Sequence, residues 1–65
     1  MKIDKSAIKE KLLDKGFTIK ELAEKSGLAY STVQHAILKN KNYSYKTVGR
    51  IARALNCKPL ELIQK

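Results

Sequence analysis

The sequence predicts an all-α fold: one small domain over residues 1–65, built from five short helices. Two observations carry this. Apolar residues recur at i, i+3, i+4 and i+7 in successive short segments, which puts one apolar stripe on one helix face. Most of these segments are also bracketed by residues that start and stop helices. Asp4, Thr18 and Ser44 stand ahead of them, and Gly16, Gly27 and Asn56 behind. A chain of 65 residues has a thin core and is marginal alone.

Helix 1 is expected over about 4–14. Asp4 is its N-cap, and Ile3 can staple to Ile8. Ile8, Leu12 and Leu13 make the stripe to be buried, with Lys9, Glu10 and Lys15 outside. Gly16 ends the helix and Phe17 fills the corner. Helix 2, about 18–26, opens with Thr18 and has Glu21 three residues on, the spacing of a capping box. Ile19, Leu22, Ala23 and Ser26 form its narrow inner face. Gly27 stops it in the left-handed conformation, and Leu28, apolar inside a turn, plugs the core.

Helix 3, about 30–38, separates into two arcs at about 100° per residue. Ala29, Val33, Ala36 and Ile37 share one. Tyr30, Ser31, Gln34 and His35 share the other, which holds no Lys, Glu or Asp. Hydroxyl, amide and imidazole groups on one face are the chemistry that reads base edges in a major groove. In the following loop, KNKNY, Asn40 or Asn42 is expected to turn the chain in left-handed geometry. Ser44 caps helix 4, about 45–55, whose stripe is Val48, Ile51, Ala52 and Leu55. Gly49 inside it costs about 1 kcal/mol against alanine, unless a close backbone approach requires it. Asn56 ends the helix. Pro59 suits the first position of helix 5, about 59–64, which returns Leu62 and Ile63 to the core.

The formal charge is +8 and unevenly spread. Between Lys25 and Leu60 there is no acid, but there are Lys25, Lys39, Lys41, Lys46, Arg50, Arg53 and Lys58. A basic half beside a mixed half points to a polyanionic partner. One histidine, one cysteine and scattered carboxylates form no catalytic constellation, so no enzyme is expected. No cofactor and no metal are expected either. No apolar run approaches the ~20 residues of a membrane span. Cys57 cannot form an internal disulfide and reads as a small inward-facing apolar residue, which fits a reducing, cytoplasmic setting.

The pattern T-x-x-E-L-A-x-x-x-G-L over Thr18–Leu28, followed by Y-S-T-V at Tyr30–Val33, resembles the helix-turn-helix of the Cro/repressor (XRE-type) DNA-binding family. S-x-x-T-V-x-x-I-A-x-A-L at Ser44–Leu55 is similar to that family's fourth helix. The likeness runs from about Lys11 to Ile63. It implies a compact five-helix lambda-repressor-like domain with the helix-turn-helix at helices 2 and 3. By the resemblance the chain is a transcriptional repressor like small phage Cro proteins. It would bind a double-stranded, palindromic operator and read the major groove with helix 3 through Tyr30, Ser31, Gln34 and His35.

The same resemblance assigns phosphate contacts to Thr18, Ile19 and Lys20 at the start of helix 2, and to Lys39, Lys41, Asn42, Tyr43 and Lys46 around the loop. It assigns a weak dimer contact to Pro59 and Leu60. Some positions depart from the family pattern. Ile19 replaces a phosphate-binding glutamine, so only the backbone amides there carry over. Ala29 replaces a Ser or Thr cap, leaving an irregular start or a late cap by Ser31. Leu12 and Ile37 stand where the family has an Arg–Glu ion pair, and are expected to pack together. Leu38 also lies near the polar arc. The departures at Ile19, Ala29 and Leu38 favour an alternative on the same fold, a protein-interaction module such as an antitoxin or anti-repressor partner.

Overall fold

The caps decide where the helices lie. In the computed structural model, which describes residues 1–39 and 42–64, the Asp4 carboxylate accepts from the Ser6 and Ala7 N–H groups at 3.0 and 3.3 Å and opens α1 (Lys5–Lys15). Thr18 Oγ1 accepts from the Glu21 N–H at 3.1 Å. The Glu21 carboxylate in turn accepts from the Thr18 N–H at 3.1 Å, completing the box ahead of α2 (Ile19–Ser26). Ser44 accepts from the Thr47 N–H at 3.2 Å ahead of α4 (Tyr45–Ala54). Only α3 (Tyr30–Leu38) starts on a residue without a capping side chain, Ala29. It begins regularly nonetheless, so the late cap expected of Ser31 is not used.

Three helices end in the same way. Gly16, Gly27 and Asn56 take positive φ angles of 69°, 72° and 54°. The next residue then donates back to a carbonyl five positions earlier: Phe17 to Leu12 at 3.0 Å, Leu28 to Ala23 at 3.1 Å, and Cys57 to Ala52 at 3.0 Å. This satisfies carbonyls left open at a helix end. It also turns Phe17, Leu28 and Cys57 onto the core, where each is half-buried. The left-handed asparagine among the described residues is Asn56, not Asn42, and Asn40 lies outside them.

The core is one cluster around Ile3, Ile8, Leu22, Val33, Ile51 and Leu62, all essentially inaccessible. Helix α2 packs on α3 and α4, and α1 packs on α3. Ile37 is buried and Leu12 packs half-buried against the same cluster. Leu13 is the exception to the expected stripe, at 84% exposed. It sits about 100° round the helix from Leu12, and α1 buries only Ile8 completely. Ala29 is likewise exposed, as it precedes α3 rather than lying on its inner face. Gly49 has no close neighbour: a Cβ added there would meet nothing within 4 Å.

The fifth helix is not formed. The described residues contain four α-helices, followed by a single 3-10 turn at Pro59–Glu61. Pro59 starts the turn, and the Glu61 carboxylate accepts from the Lys58 N–H at 2.8 Å. The chain is then drawn out straight, because its backbone pairs with the N-terminal segment. Asp4 N–H donates to the Leu62 carbonyl at 2.7 Å and Gln64 N–H to the Lys2 carbonyl at 2.9 Å. A helix continuing through Ile63 would give up both bonds. On its other side the same segment forms an antiparallel bridge from Lys2 to Asn42, and the Tyr43 N–H donates to the Met1 carbonyl at 2.7 Å. Residues 1–4 thus lie between the loop before α4 and the segment after the 3-10 turn.

Candidate nucleic-acid interface

Because Val33, Ala36 and Ile37 face the core, the opposite side of α3 is fixed by helical geometry. Tyr30 and Ser31 on that side are exposed, and Gln34 and His35 are half-exposed. The four therefore share one outward face with Leu38, also exposed. The Val33 N–H is the first of α3 to reach a helical carbonyl, that of Ala29 at 3.2 Å. With no capping side chain, the N–H groups of Tyr30, Ser31 and Thr32 remain open donors at the positive end of the helix.

At the start of α2 the accounting differs. The Thr18 N–H and the Glu21 N–H are both used by the capping box, and the Leu22 N–H by the Thr18 carbonyl at 3.0 Å. The N–H groups of Ile19 and Lys20 remain, with the exposed Lys20 side chain beside them. Two amides at a helix N-terminus suit one phosphate oxygen. The Thr18 hydroxyl already serves the helix.

Around the loop, Lys39, Asn42 and Lys46 are exposed. Lys41 lies outside the described residues. Tyr43 is turned the other way: its hydroxyl is buried, without a hydrogen-bond partner among the described residues, and desolvation raises its pKa. Its backbone is occupied by Met1. The aromatic that faces outward is Tyr45, 82% exposed in the first turn of α4 beside Lys46. Sequence reasoning passed over it, because Tyr45 stands three and seven residues before Val48 and Ala52, in line with the buried stripe, and only its place in the first turn leaves it uncovered.

The ion pair among the described residues is Lys11–Glu61 at 3.6 Å, away from these elements. The Lys58 N–H first, and Lys11 second, hold the Glu61 carboxyl below its ordinary range. The described cations of the acid-free span form no ion pair with a described acid. Lys25 stands over the Phe17 ring, 5.1 Å from its centre. Burial, and then the Glu61 carboxylate, push the Cys57 thiol up. Among the described residues no cluster of three His, Cys, Asp or Glu forms a metal site, and no helix is long and apolar enough to cross a membrane.

A short helix pair joined by a left-handed glycine, with an acid-free polar face on the second helix and unpaired cations on both flanks, defines a helix-turn-helix DNA-binding domain. Residues 7–64 match the family model of the Cro/C1-type HTH DNA-binding domain, and the chain belongs to that family. It is similar in structure to the restriction-modification controller protein C.AhdI from Aeromonas hydrophila, with a TM-score of 0.80 and 30% identity over 88% of this chain and 86% of that one. No curated protein matches the sequence significantly.

Proposed function

We propose that this DNA-binding regulator acts as a repressor that binds a double-stranded operator and reads its major groove with α3. The observation that carries this is the outward face of Tyr30, Ser31, Gln34 and His35, polar and free of acids, which begins with Tyr30 and Ser31 at the open positive end of the helix. Gln34 suits adenine, His35 the acceptors of guanine, and Tyr30 a thymine methyl. The Ile19 and Lys20 amides and the side chains of Lys20, Lys39, Lys41, Asn42 and Lys46 hold phosphates and set register. The likeness to a controller protein supports a regulatory role.

One reading helix gives low specific affinity, and two-fold pairing on a palindrome supplies the second half-site. Pro59 and Leu60 are exposed at the 3-10 turn, Leu60 at 69%, beside a groove of about 800 Å³ lined by Ala7, Lys11 and Ile63 among others. A self-complementary contact there makes a weak dimer, because the patch is small and charge +8 on each copy opposes pairing. The alternative, a protein-interaction module, draws on the exposed Leu38. The unpaired cations beside the reading face weigh against it.

Selection of bound duplexes from a random pool tests the proposal. A defined, palindromic motif is expected. Substituting Ser31, Gln34 or His35 should relax preference at particular base pairs by ~1–3 kcal/mol each. A wild-type base preference retained by all three variants would refute reading by this face.

A further inference from the structure

Arg50 and Arg53 fall outside the interface just described, yet they are exposed on the same helix as Lys46. Positions 46, 49, 50 and 53 lie within one face of α4, at spacings of three, four and seven. Two surface grooves follow this face, of about 430 and 260 Å³, and both are lined by Arg50 and Arg53. The first begins at Tyr45 and Lys46 and passes Gly49; the second ends at Lys25 and Ser26 of α2. Gly49 leaves the floor of the first open, since a Cβ there would meet nothing within 4 Å. None of the four cations pairs with a described acid.

From this arrangement we infer that the outer face of α4 is a second polyanion track, and that its occupant is the backbone of duplex DNA flanking the base pairs read by α3. The inference rests on the DNA-binding reading above and extends it. Two features select DNA over an acidic protein. Protein interfaces are anchored by buried apolar and aromatic side chains. Here the lining offers only Tyr45 at one end and Ala54 at the other, with cations between. Protein–DNA interfaces are polar and strongly positive, as this face is. The track is also continuous with Lys46, which already holds phosphate in the proposed complex. Arg50 and Arg53 stand about 6 and 10 Å further along the helix axis. Arg50 has a structural contact too: its guanidinium would lie 3.3 Å from a Cβ at Gly27, against the end of α2. Arg53 has no such tie.

The test compares two duplexes carrying the same selected motif, one trimmed to it and one extended on both sides by arbitrary sequence. Binding is followed by fluorescence anisotropy against salt concentration. The wild-type protein should bind the extended duplex several-fold more tightly and with a steeper salt slope. Arg53→Gln should remove about 0.9 from that slope per protomer, and Arg50→Gln/Arg53→Gln about twice as much, with trimmed-duplex binding nearly unchanged. Thermal melting checks the fold of the double variant, and the single variant serves if Gly27 makes the double unstable. Flank-independent binding by the wild type would overturn the track while leaving helix-3 reading intact, as would an equal loss on both duplexes. Failure of the wild type to bind any duplex would overturn the DNA reading itself.

Discussion

Alanine placed at each of two glycines should change stability in opposite directions. Gly49 lies inside α4 with a negative φ and an empty shell around its absent Cβ. Replacing it by alanine removes a helix-interior glycine, worth about 1 kcal/mol, with nothing for the new methyl to strike. In a domain of 60–100 residues that raises Tm by about 4–8 °C. Gly27 stands at φ 72° in the turn before α3, where an L side chain costs about 1–2 kcal/mol. There the new methyl also approaches the Arg50 guanidinium at 3.3 Å. That end of the side chain is flexible and moves aside, so strain accounts for most of the loss. Gly27→Ala should therefore lower stability by about 1–2 kcal/mol, and the two variants together should nearly cancel, being on different elements. Urea unfolding, compared at equal m-values, measures all three. A neutral or destabilising Gly49→Ala would refute the open surface at this position and mean that backbone or ligand approaches it closely.

The other predictions concern charge and packing. Ile37→Glu should be strongly destabilising, because it buries an unpaired carboxylate, whereas Leu12→Arg should cost less, since a half-buried arginine can reach water. If Leu12 and Ile37 pack together, the double variant should recover part of the loss in a double-mutant cycle; strict additivity would place them apart. Leu13→Gln, on the exposed side of α1, should shift stability by no more than about 0.5 kcal/mol, read from the same unfolding curves. Leu60→Lys should abolish cooperative filling of a palindromic site while half-site binding persists, measured by titrating both duplexes. Glu61 titrates below its ordinary range when folded, so its contribution is full above that range and is lost as pH falls through the lowered value. Glu61→Gln should therefore flatten the acid limb of a Tm–pH profile, and an unchanged limb would show that the Lys58 and Lys11 contacts contribute nothing.

Much of this was legible in the residues themselves. Asp4, Thr18 with Glu21, Ser44, Gly16, Gly27 and Asn56 marked helix boundaries to within a residue, because caps act through local hydrogen bonds. The arcs of α2, α3 and α4 were also readable, as a helix interior repeats every 3.6 residues. What depended on distant partners was not. Nothing local shows that residues 1–4 pair with residues 42–43 and 62–64, and that pairing replaces the fifth helix by a 3-10 turn. Leu13 and Leu12 are chemically alike, and only the direction of approach of α3 decides which is covered. At the candidate interface the outward residues of α3 followed from periodicity. The exchange of Tyr43 for Tyr45 did not, since both flank Ser44 and their orientations are set by the N-terminal segment on one side and the helix on the other.

The N-terminal pairing also bears on the order of assembly. Helices α1 to α4 can pack early, because each packs mainly on helices no more than two places away in the chain. Lys2–Asp4 cannot: its partners are made about 40 and 60 residues later. During synthesis Ile3, a fully buried core residue, therefore stays uncovered until the segment that includes Leu62 is finished. Closure of this seam is expected to be the last event in folding and the first to be lost under stress. Amide protons at Asp4, Tyr43 and Gln64 should accordingly exchange together, and sooner than those of Val33 or Ile51.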